Sequence, residues 1–481
     1  MHFFGFRYFI FISILSCLLC NCSSPKKDKR EYTYFGGEIV NPNTNYVVLS
    51  KGYDYRDTIF LDKNNRFLHK IENLKNGLYS FKHSPESQII LLEEGDSTLI
   101  RLNTLEFDES LVFTGIGAGK NNFLIEMFLQ NEIERERLNR NGFRQTPSFF
   151  KENQDSLLNI KLATFEKLIS KHTLSDLAKK MTQASVIFDY YMRHELYYNS
   201  HHQLRKIDDF DSGLPASFFS YRNQIDFNDD ELKRLYSYNW FLNCYFTNAI
   251  LSNCSTDFTQ TDQVANAVYK LNIIDSIVKH TYIKNSLLRR STINFLLDSK
   301  NNKESNIVLE HYLSISSNKR SQKELIRLSR YISKLRPNNI IPDQDLISSK
   351  GETVRLSSLF NKPITALYFW SMESKEHYVK AHKKARHLNT IYPNIDFIAV
   401  NIDAEQTKNW LKTIKRHRYN LENEYEFKYP KCSSEELVIH YRNKVFLVDQ
   451  DGKIINPSTD LFASIFEKQL MQYTQLASLE H

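Results

Sequence analysis

The sequence predicts a multidomain protein with an N-terminal all-β sandwich, an α-helical middle and a C-terminal α/β domain. A chain of 481 residues is too long for one ordinary hydrophobic core, and 41% hydrophobic with 25% charged residues is typical of globular proteins. Short alternating apolar runs fill residues 34–117, and helical periodicity fills residues 118–336. Two prolines mark a linker, and strands alternate with helices over residues 337–481. We therefore expect three domains with these boundaries.

The first 22 residues are organised as a secretory signal peptide. An apolar stretch over residues 8–19 is short for a membrane span, and a polar tether follows at residues 23–33. The cysteines at its exit resemble a lipobox, in which a lipidated cysteine becomes the new N-terminus. Cys22 leaves the longer apolar run, and Cys17 is a competing position. We expect a lipid anchor in the cell envelope, facing the periplasm; a plain cleaved signal and an uncleaved anchor stay open.

The predicted sandwich is built from short period-two runs, for example at 46–49 and 88–92, with turn-forming residues between them. This spacing indicates about eight strands. The segment resembles the small N-terminal β domain of many lipoproteins of the Bacteroidota kind. The resemblance rests on Asp57-Thr58-Ile59-Phe60-Leu61-Asp62, Asn76-Gly77-Leu78-Tyr79, Glu94-Gly95-Asp96-Ser97 and Phe113-Thr114-Gly115. It implies no chemistry for this domain.

A glycine-rich run ending in Gly119-Lys120 is superficially similar to a phosphate-binding loop. That loop needs a glycine where this chain has Thr114, and a serine or threonine where it has Asn121. We expect no nucleotide site here and interpret the glycines as turning the chain out of the last strand.

Aromatic residues cluster in the helical middle, at 188–191 and 197–198. Such a cluster can line a ligand groove. Aromatic side chains at helical spacing more often belong to a hydrophobic core, and we favour the core interpretation.

The C-terminal region has a distinctive order of elements. A hairpin at 346–356 precedes the continuous apolar strand at 364–370, which is typical of the middle of a sheet. A helix, a second buried strand at 395–403 and a helix at 405–414 follow. A helical turn at 435–441, a hairpin and a last helix complete the region.

This region resembles the membrane-anchored, TlpA-like thioredoxin family. The resemblance rests on Lys350-Gly351-Glu352, Ser357-Ser358-Leu359, Lys362-Pro363, Tyr368-Phe369-Trp370-Ser371 and the hairpin Phe446-Leu447-Val448-Asp449-Gln450-Asp451-Gly452-Lys453-Ile454. It covers about 130 residues. It implies a thioredoxin-like fold for residues 337–481.

The residues that carry the family's chemistry are missing. In the family, a W-C-x-x-C motif begins the helix after the Phe-Trp strand, and the helix N-terminus lowers the pKa of the first thiol. By the resemblance, the two cysteine positions are Ser374 and His377, the tryptophan position is Glu373, and the cis-proline position lies near Asn443-Lys444. A hydroxyl and an imidazole cannot exchange disulfides, so we expect a degenerate, redox-inactive site.

Ser374 and His377 are three residues apart and share a helix face, as a nucleophile and its base would. The sequence identifies neither an orienting carboxylate nor an oxyanion hole, so we favour a helix-capping serine with a nearby histidine. The histidines at 377, 382 and 387 recur every five residues and diverge around the helix. We expect no metal site and no cofactor.

Six cysteines are present, three of them within the signal segment. Cys244 and Cys254 can pair only if the chain turns between them, because ten helical residues would separate them by about 15 Å. We favour free, buried thiols at both positions. Cys432 is the cysteine nearest in sequence to the degenerate site.

The net charge of +7 is modest for a chain with 56 acidic residues, so we interpret it as solvated surface and expect no nucleic-acid partner. Two helices of the C-terminal region carry basic residues that suit anionic lipid heads or an acidic partner, or that are simply solvated. The sequence predicts a tethered binding or scaffolding protein that contacts an envelope protein or extended peptide. The alternative is a thiol-disulfide oxidoreductase that uses a non-standard cysteine such as Cys432.

Overall fold

The computed structural model describes residues 32–204, 213–251, 263–403 and 407–479. The expectations for Cys17, Cys22 and Cys254 lie outside these residues. No helix of the described part has the length and apolar character needed to cross a membrane. The chain forms two compact units. One contains the described residues up to Tyr190 with Arg234–Ser237, and the other contains Tyr191–Lys233 and the described residues from Tyr238 onward.

The described part of the first unit contains two four-stranded sheets, in the orders β4-β1-β7-β8 and β3-β2-β5-β6. Their strands are β1 Tyr32–Val40, β2 Tyr46–Lys51, β3 Tyr55–Phe60, β4 Arg66–Glu72, β5 Gly77–His83, β6 Glu86–Leu92, β7 Ser97–Asn103 and β8 Val112–Ile116. Side chains from both sheets, such as Phe35 and Phe81, are buried in one shared core. The alternating pattern of the sequence therefore produces N-terminal β sheets, as predicted.

The glycine-rich run after β8 turns the chain, and Lys120 at its end forms ion pairs with two carboxylates. Gly117 has φ +90°, and a Cβ atom there would lie 2.7 Å from the Asp96 carboxylate. Lys120 Nζ lies 2.6 Å from Glu93 Oε2 and 2.7 Å from Asp96 Oδ2, and the lysine side chain is buried. Two carboxylates neutralise this ammonium, which leaves it unsuited to a phosphate.

The helices of the middle region are mostly long. They are α2 Ala118–Arg140, α3 Pro147–Lys171, α4 Asp176–Leu204, α5 Tyr236–Leu251, α6 Gln263–Ile277, α7 Thr281–Asp298, α8 Asn302–Ile315 and α9 Lys319–Lys334. The four-residue helix α1 Phe107–Ser110 lies earlier, between β7 and β8. The aromatic pair Tyr197 and Tyr198 is buried, and the Tyr191 ring stacks on Tyr221 at 4.2 Å. These contacts favour the core interpretation over a ligand groove.

The C-terminal region is a seven-stranded sheet in the order β10-β9-β13-β12-β11-β14-β15. Its strands are β9 Asp345–Ser348, β10 Thr353–Arg355, β11 Ile364–Trp370, β12 Ile395–Asn401, β13 Glu424–Phe427, β14 Lys444–Asp449 and β15 Ile454–Asp460. Its helices are α10 Lys375–Ile391, α11 Thr407–Arg416, α12 Pro430–Glu436 and α13 Ser464–Leu479. β11, β12 and β13 are parallel, so their carboxyl ends meet at one edge.

Helices α10, α11 and α13 contribute to one hydrophobic core on the same face of this sheet. Its members include Tyr378, Leu388, Trp410 and Phe466. The helical turn expected at 435–441 is wrong in position: α12 begins earlier, at Pro430. Proline suits the first turn of a helix because it has no N–H to leave unpaired, so the helix starts there.

Replacing Lys120 by methionine should destabilise the first unit by about 3–5 kcal/mol, because Glu93 and Asp96 would remain buried without their cation. Hydrogen exchange of β6 and β7, followed by mass spectrometry, measures the loss. Lys82→Met, at an exposed strand position, is the control and should leave exchange unchanged. Equal exchange in the two variants would contradict a stabilising role for the cluster.

Candidate functional site

The junction between β11 and α10 carries both residues of the predicted degenerate pair. All seven residues of β11 are buried, and Trp370 at its end is fully covered. Ser374 is the N-cap of α10, although its side chain makes no capping hydrogen bond. His377 follows in the first turn. Ser374 and His377 thus lie at the strand-to-helix junction where the sequence predicted them.

Asp403, at the carboxyl end of β12, holds this junction in place. Ser371 Oγ donates to Asp403 Oδ1 at 2.5 Å, and the backbone N–H of Met372 donates to Oδ2 at 2.7 Å. The amide of Asn401 donates to the same Oδ2 at 3.0 Å. Three donors satisfy the carboxylate, and it anchors the turn that leads into α10. This residue was not predicted from the sequence, although the parallel arrangement of β11 and β12 brings their ends together.

His377 is half-buried and packs edge-to-face against Phe462, with ring centroids 6.0 Å apart. Burial lowers its pKa below the ordinary histidine value, and the nearby Arg442 lowers it further. The Asn443 side chain lies close by and donates to Asp460 Oδ2 at 3.2 Å. No hydrogen bond joins Ser374 Oγ to His377 in this part of the chain, so the pair lacks the contact that activates a serine nucleophile.

A buried lysine occupies the start of β14, where the resemblance implied a cis-proline. Lys444 Nζ donates to the carbonyl oxygens of Leu437 at 2.9 Å and Val438 at 3.0 Å. Burial lowers the pKa of Lys444 to about 7. In the described residues the cis peptide bond is Ser84-Pro85, between β5 and β6. Of the pair Asn443-Lys444 named from the resemblance, Lys444 is the side chain that fills the interior.

A second polar group missed by the sequence analysis is the pair His382–Glu424, buried between α10 and β13. His382 Nε2 lies 2.9 Å from Glu424 Oε1, and His382 Nδ1 lies 2.6 Å from the carbonyl oxygen of Tyr378. Because that carbonyl only accepts, Nδ1 carries a proton, and the contact with Glu424 requires one more proton between the two side chains. The His382 ring also stacks on Tyr419 at 3.7 Å.

Glu424 faces a cavity of about 100 Å³, lined also by Tyr368, Arg386 and Tyr419. Its second oxygen, Oε2, is buried without a hydrogen-bond partner that meets normal geometry. Burial raises the pKa of Glu424, and the hydrogen bond with His382 opposes that rise. The fold therefore holds an ionisable group in its interior, close to Trp370 at the end of β11.

The two described cysteines are both free. Cys244 is buried, and burial together with the negative charge of Glu195 raises its pKa to about 12. Cys432 is exposed on α12 and lines a cavity of about 530 Å³ at the carboxyl ends of β12 and β13. Asp403 and Glu426 line the same cavity. Cys244 is therefore a poor nucleophile, and Cys432 is the accessible thiol of the described residues.

No protein-family model and no curated protein matches the chain. Solved structures with partial similarity include a proposed thiol-disulfide oxidoreductase from Bacteroides vulgatus, 20% identical, covering 29% of this chain and 99% of that one with a TM-score of 0.27. A thiol:disulfide interchange protein from Bacteroides sp. is 20% identical, covering 25% and 80% with a TM-score of 0.23. A thioredoxin-like protein from Bacteroides caccae is 12% identical, covering 49% and 93% with a TM-score of 0.30. Likeness at this level carries no conclusion about activity.

Glu424→Gln should flatten the pH dependence of stability of the second unit. Between the pKa of an unfolded glutamate, about 4.3, and the raised folded value, the folded state binds more protons, so the free energy of unfolding falls as pH rises. Glutamine keeps a donor toward His382 but does not titrate. Urea unfolding followed by tryptophan fluorescence at several pH values measures the slope. The exposed Glu422→Gln control should keep the original slope, and an unchanged slope in Glu424→Gln would contradict the assignment.

Proposed function

We propose that the protein is a lipid-anchored lipoprotein of the cell envelope whose C-terminal, thioredoxin-like domain is redox-inactive and serves in binding or scaffolding. The observation that carries the proposal is the identity of the two residues at the start of α10. Ser374 is its N-cap and His377 lies in its first turn, which are the positions that a C-x-x-C pair would occupy. Neither side chain contains sulfur, so neither can exchange a disulfide.

The surroundings of the junction support the same proposal. A redox pair needs a thiolate that moves between reduced, mixed-disulfide and oxidised states. Here Ser371 and Met372 donate hydrogen bonds to the Asp403 carboxylate. At the start of β14, Lys444 donates a hydrogen bond to the carbonyl oxygen of Leu437. These contacts favour a fixed surface over a reactive centre.

The proposed anchor rests on the sequence of the first 22 residues, with Cys22 as the lipidated residue and Cys17 as the alternative. A tether over residues 23–33 would keep the folded units close to the membrane, since extended chain spans at most about 3.5 Å per residue. The partner would then be an envelope protein or an extended peptide. The cavity beside Cys432, at about 530 Å³, is within the usual size range of small-molecule and side-chain pockets.

A second candidate function is thiol-disulfide exchange through Cys432. Its exposure and its position in a cavity favour it. A single thiol also lacks a resolving partner, so it can form a mixed disulfide but cannot complete a catalytic cycle alone.

The full chain should reduce insulin in the presence of dithiothreitol no faster than dithiothreitol alone, because the described thiols are either buried or unpaired. Turbidity of precipitating insulin measures the rate, with an active thioredoxin as the positive control. Cys432→Ser should leave the trace unchanged. Turnover that disappears in Cys432→Ser would overturn the proposal and establish the oxidoreductase alternative.

A further inference from the structure

Nearly all of the chain's net charge belongs to one short segment. Residues 375–418 contain ten lysines and arginines against four acidic residues, a net charge of +6 out of +7 for the whole protein. The other 437 residues therefore carry a net charge of only +1. A total for the whole chain hides this local concentration, which falls on the two basic helices identified in the sequence.

The fold brings these charges together on one side of the C-terminal domain. The segment contains α10 and α11, whose buried faces pack into the same core on the same face of the sheet. The two helices approach each other where Tyr378 Oη lies 3.4 Å from His417 Nε2. Lys375 and Arg416 both lie near His417, and burial followed by these two cations lowers the pKa of that histidine. The outer faces of α10 and α11 thus form one basic surface.

Few of these cations are neutralised. Lys380 pairs with Glu376, and Lys384 pairs with Glu467. Among the residues that the structure describes, no carboxylate lies within ion-pair distance of the other eight. They are the exposed side chains of Lys375, Lys383, Arg386, Lys408, Lys412, Lys415, Arg416 and Arg418. Eight uncompensated like charges repel one another, so a polyanion that binds them relieves that repulsion.

The side chains of this basic surface are better suited to a layer of phosphate groups than to a protein partner. Protein interfaces usually centre on buried aromatic or apolar anchors. The aromatic residues of these helices, Tyr378 and Trp410, belong to the core. On α10 and α11 the exposed large apolar side chains are Val379 and Ile391 alone. Five of these eight cations are lysines. A lysine ammonium acts as a point charge on a flexible side chain, so it can bind phosphate groups without requiring one fixed arrangement of them.

We propose that α10 and α11 form an electrostatic docking surface for the anionic phosphate headgroups of the membrane to which the protein is anchored. This inference rests on the proposed lipid anchor, which would bring the surface within reach of the bilayer. The anchor supplies attachment, and the basic surface sets the orientation of the C-terminal domain on the membrane. The interaction is screened by salt, because the Debye length falls from about 10 Å at 0.1 M to about 3 Å at 1 M.

The test uses the full lipidated chain reconstituted into vesicles of phosphatidylethanolamine alone or with phosphatidylglycerol. Brief acylation of lysines and mass spectrometry give the labelling rate at Lys408, Lys412 and Lys415. We expect several-fold slower labelling on the anionic vesicles than on the zwitterionic ones, with protection lost at high salt. Lys323, exposed on α9, is the internal reference and should label equally on both.

Two variants with matched charge changes sharpen the test. Lys408→Glu, Lys412→Glu and Lys415→Glu together should abolish the protection of Lys375 and Lys383 on anionic vesicles. The same change at Lys319, Lys323 and Arg330 of α9 should leave it intact. Equal labelling on the two vesicle types, or equal effects of the two triple variants, would overturn the proposal. Protection by soluble polyphosphate without protection by vesicles would assign the surface to a free polyanion instead.

Flotation of the same samples separates this inference from the anchor. An anchored protein floats with zwitterionic vesicles at any salt concentration, whereas an unanchored one remains at the bottom. Failure to float therefore contradicts the proposed anchor. Flotation without lysine protection contradicts only the docking surface.

Discussion

The Asp403 carboxylate is the contact on which the candidate site depends. Asp403 lies just after β12. Its carboxylate accepts hydrogen bonds from Ser371 and from the backbone of Met372, and so fixes the chain as it leaves β11. This constraint sets where α10 begins and therefore which residues face outward at its N-terminus. Ser374 and His377 lie at the N-terminus of α10 because the junction keeps this shape, and neither side chain contains sulfur.

Polar groups fill the interior around this junction. Lys444 is held by two backbone carbonyl oxygens, and His382 shares a proton with Glu424. Burying such groups costs free energy unless they are hydrogen-bonded, and each of them finds at least one partner. Glu424 Oε2 is an exception and faces a cavity. The domain therefore keeps ionisable groups in its core, where burial lowers the pKa of Lys444 to about 7 and raises the pKa of Glu424.

Much of the architecture could be predicted from the sequence, because it follows from local periodicity. Period-two runs gave the N-terminal sheets, and the apolar run at 364–370 gave the central strand. Helix α12 was misplaced because Pro430 was not recognised as a helix start.

The polar contacts of the site could not be predicted in this way. Asp403 and Ser371 are 32 residues apart in the chain, as are many pairs that never touch. In the sequence, His382 is one of three histidines that recur every five residues, and this spacing does not indicate a partner for it. Only the packing of α10 against β13 brings it to Glu424. The sequence showed basic residues on two C-terminal helices, but only the packing of α10 and α11 into one core joins them in one surface.

The central claim is that the junction has the geometry of a redox site and lacks only its sulfur atoms. The most direct test is the double variant Ser374→Cys with His377→Cys, exposed to mild oxidant and then to an alkylating reagent. The account predicts rapid formation of an intramolecular disulfide. It should not form in Lys380→Cys with Lys383→Cys, where two helical residues hold their Cβ atoms about 5–6 Å apart, beyond normal disulfide geometry. Full alkylation of both introduced thiols at 374 and 377 after oxidation would contradict the claim.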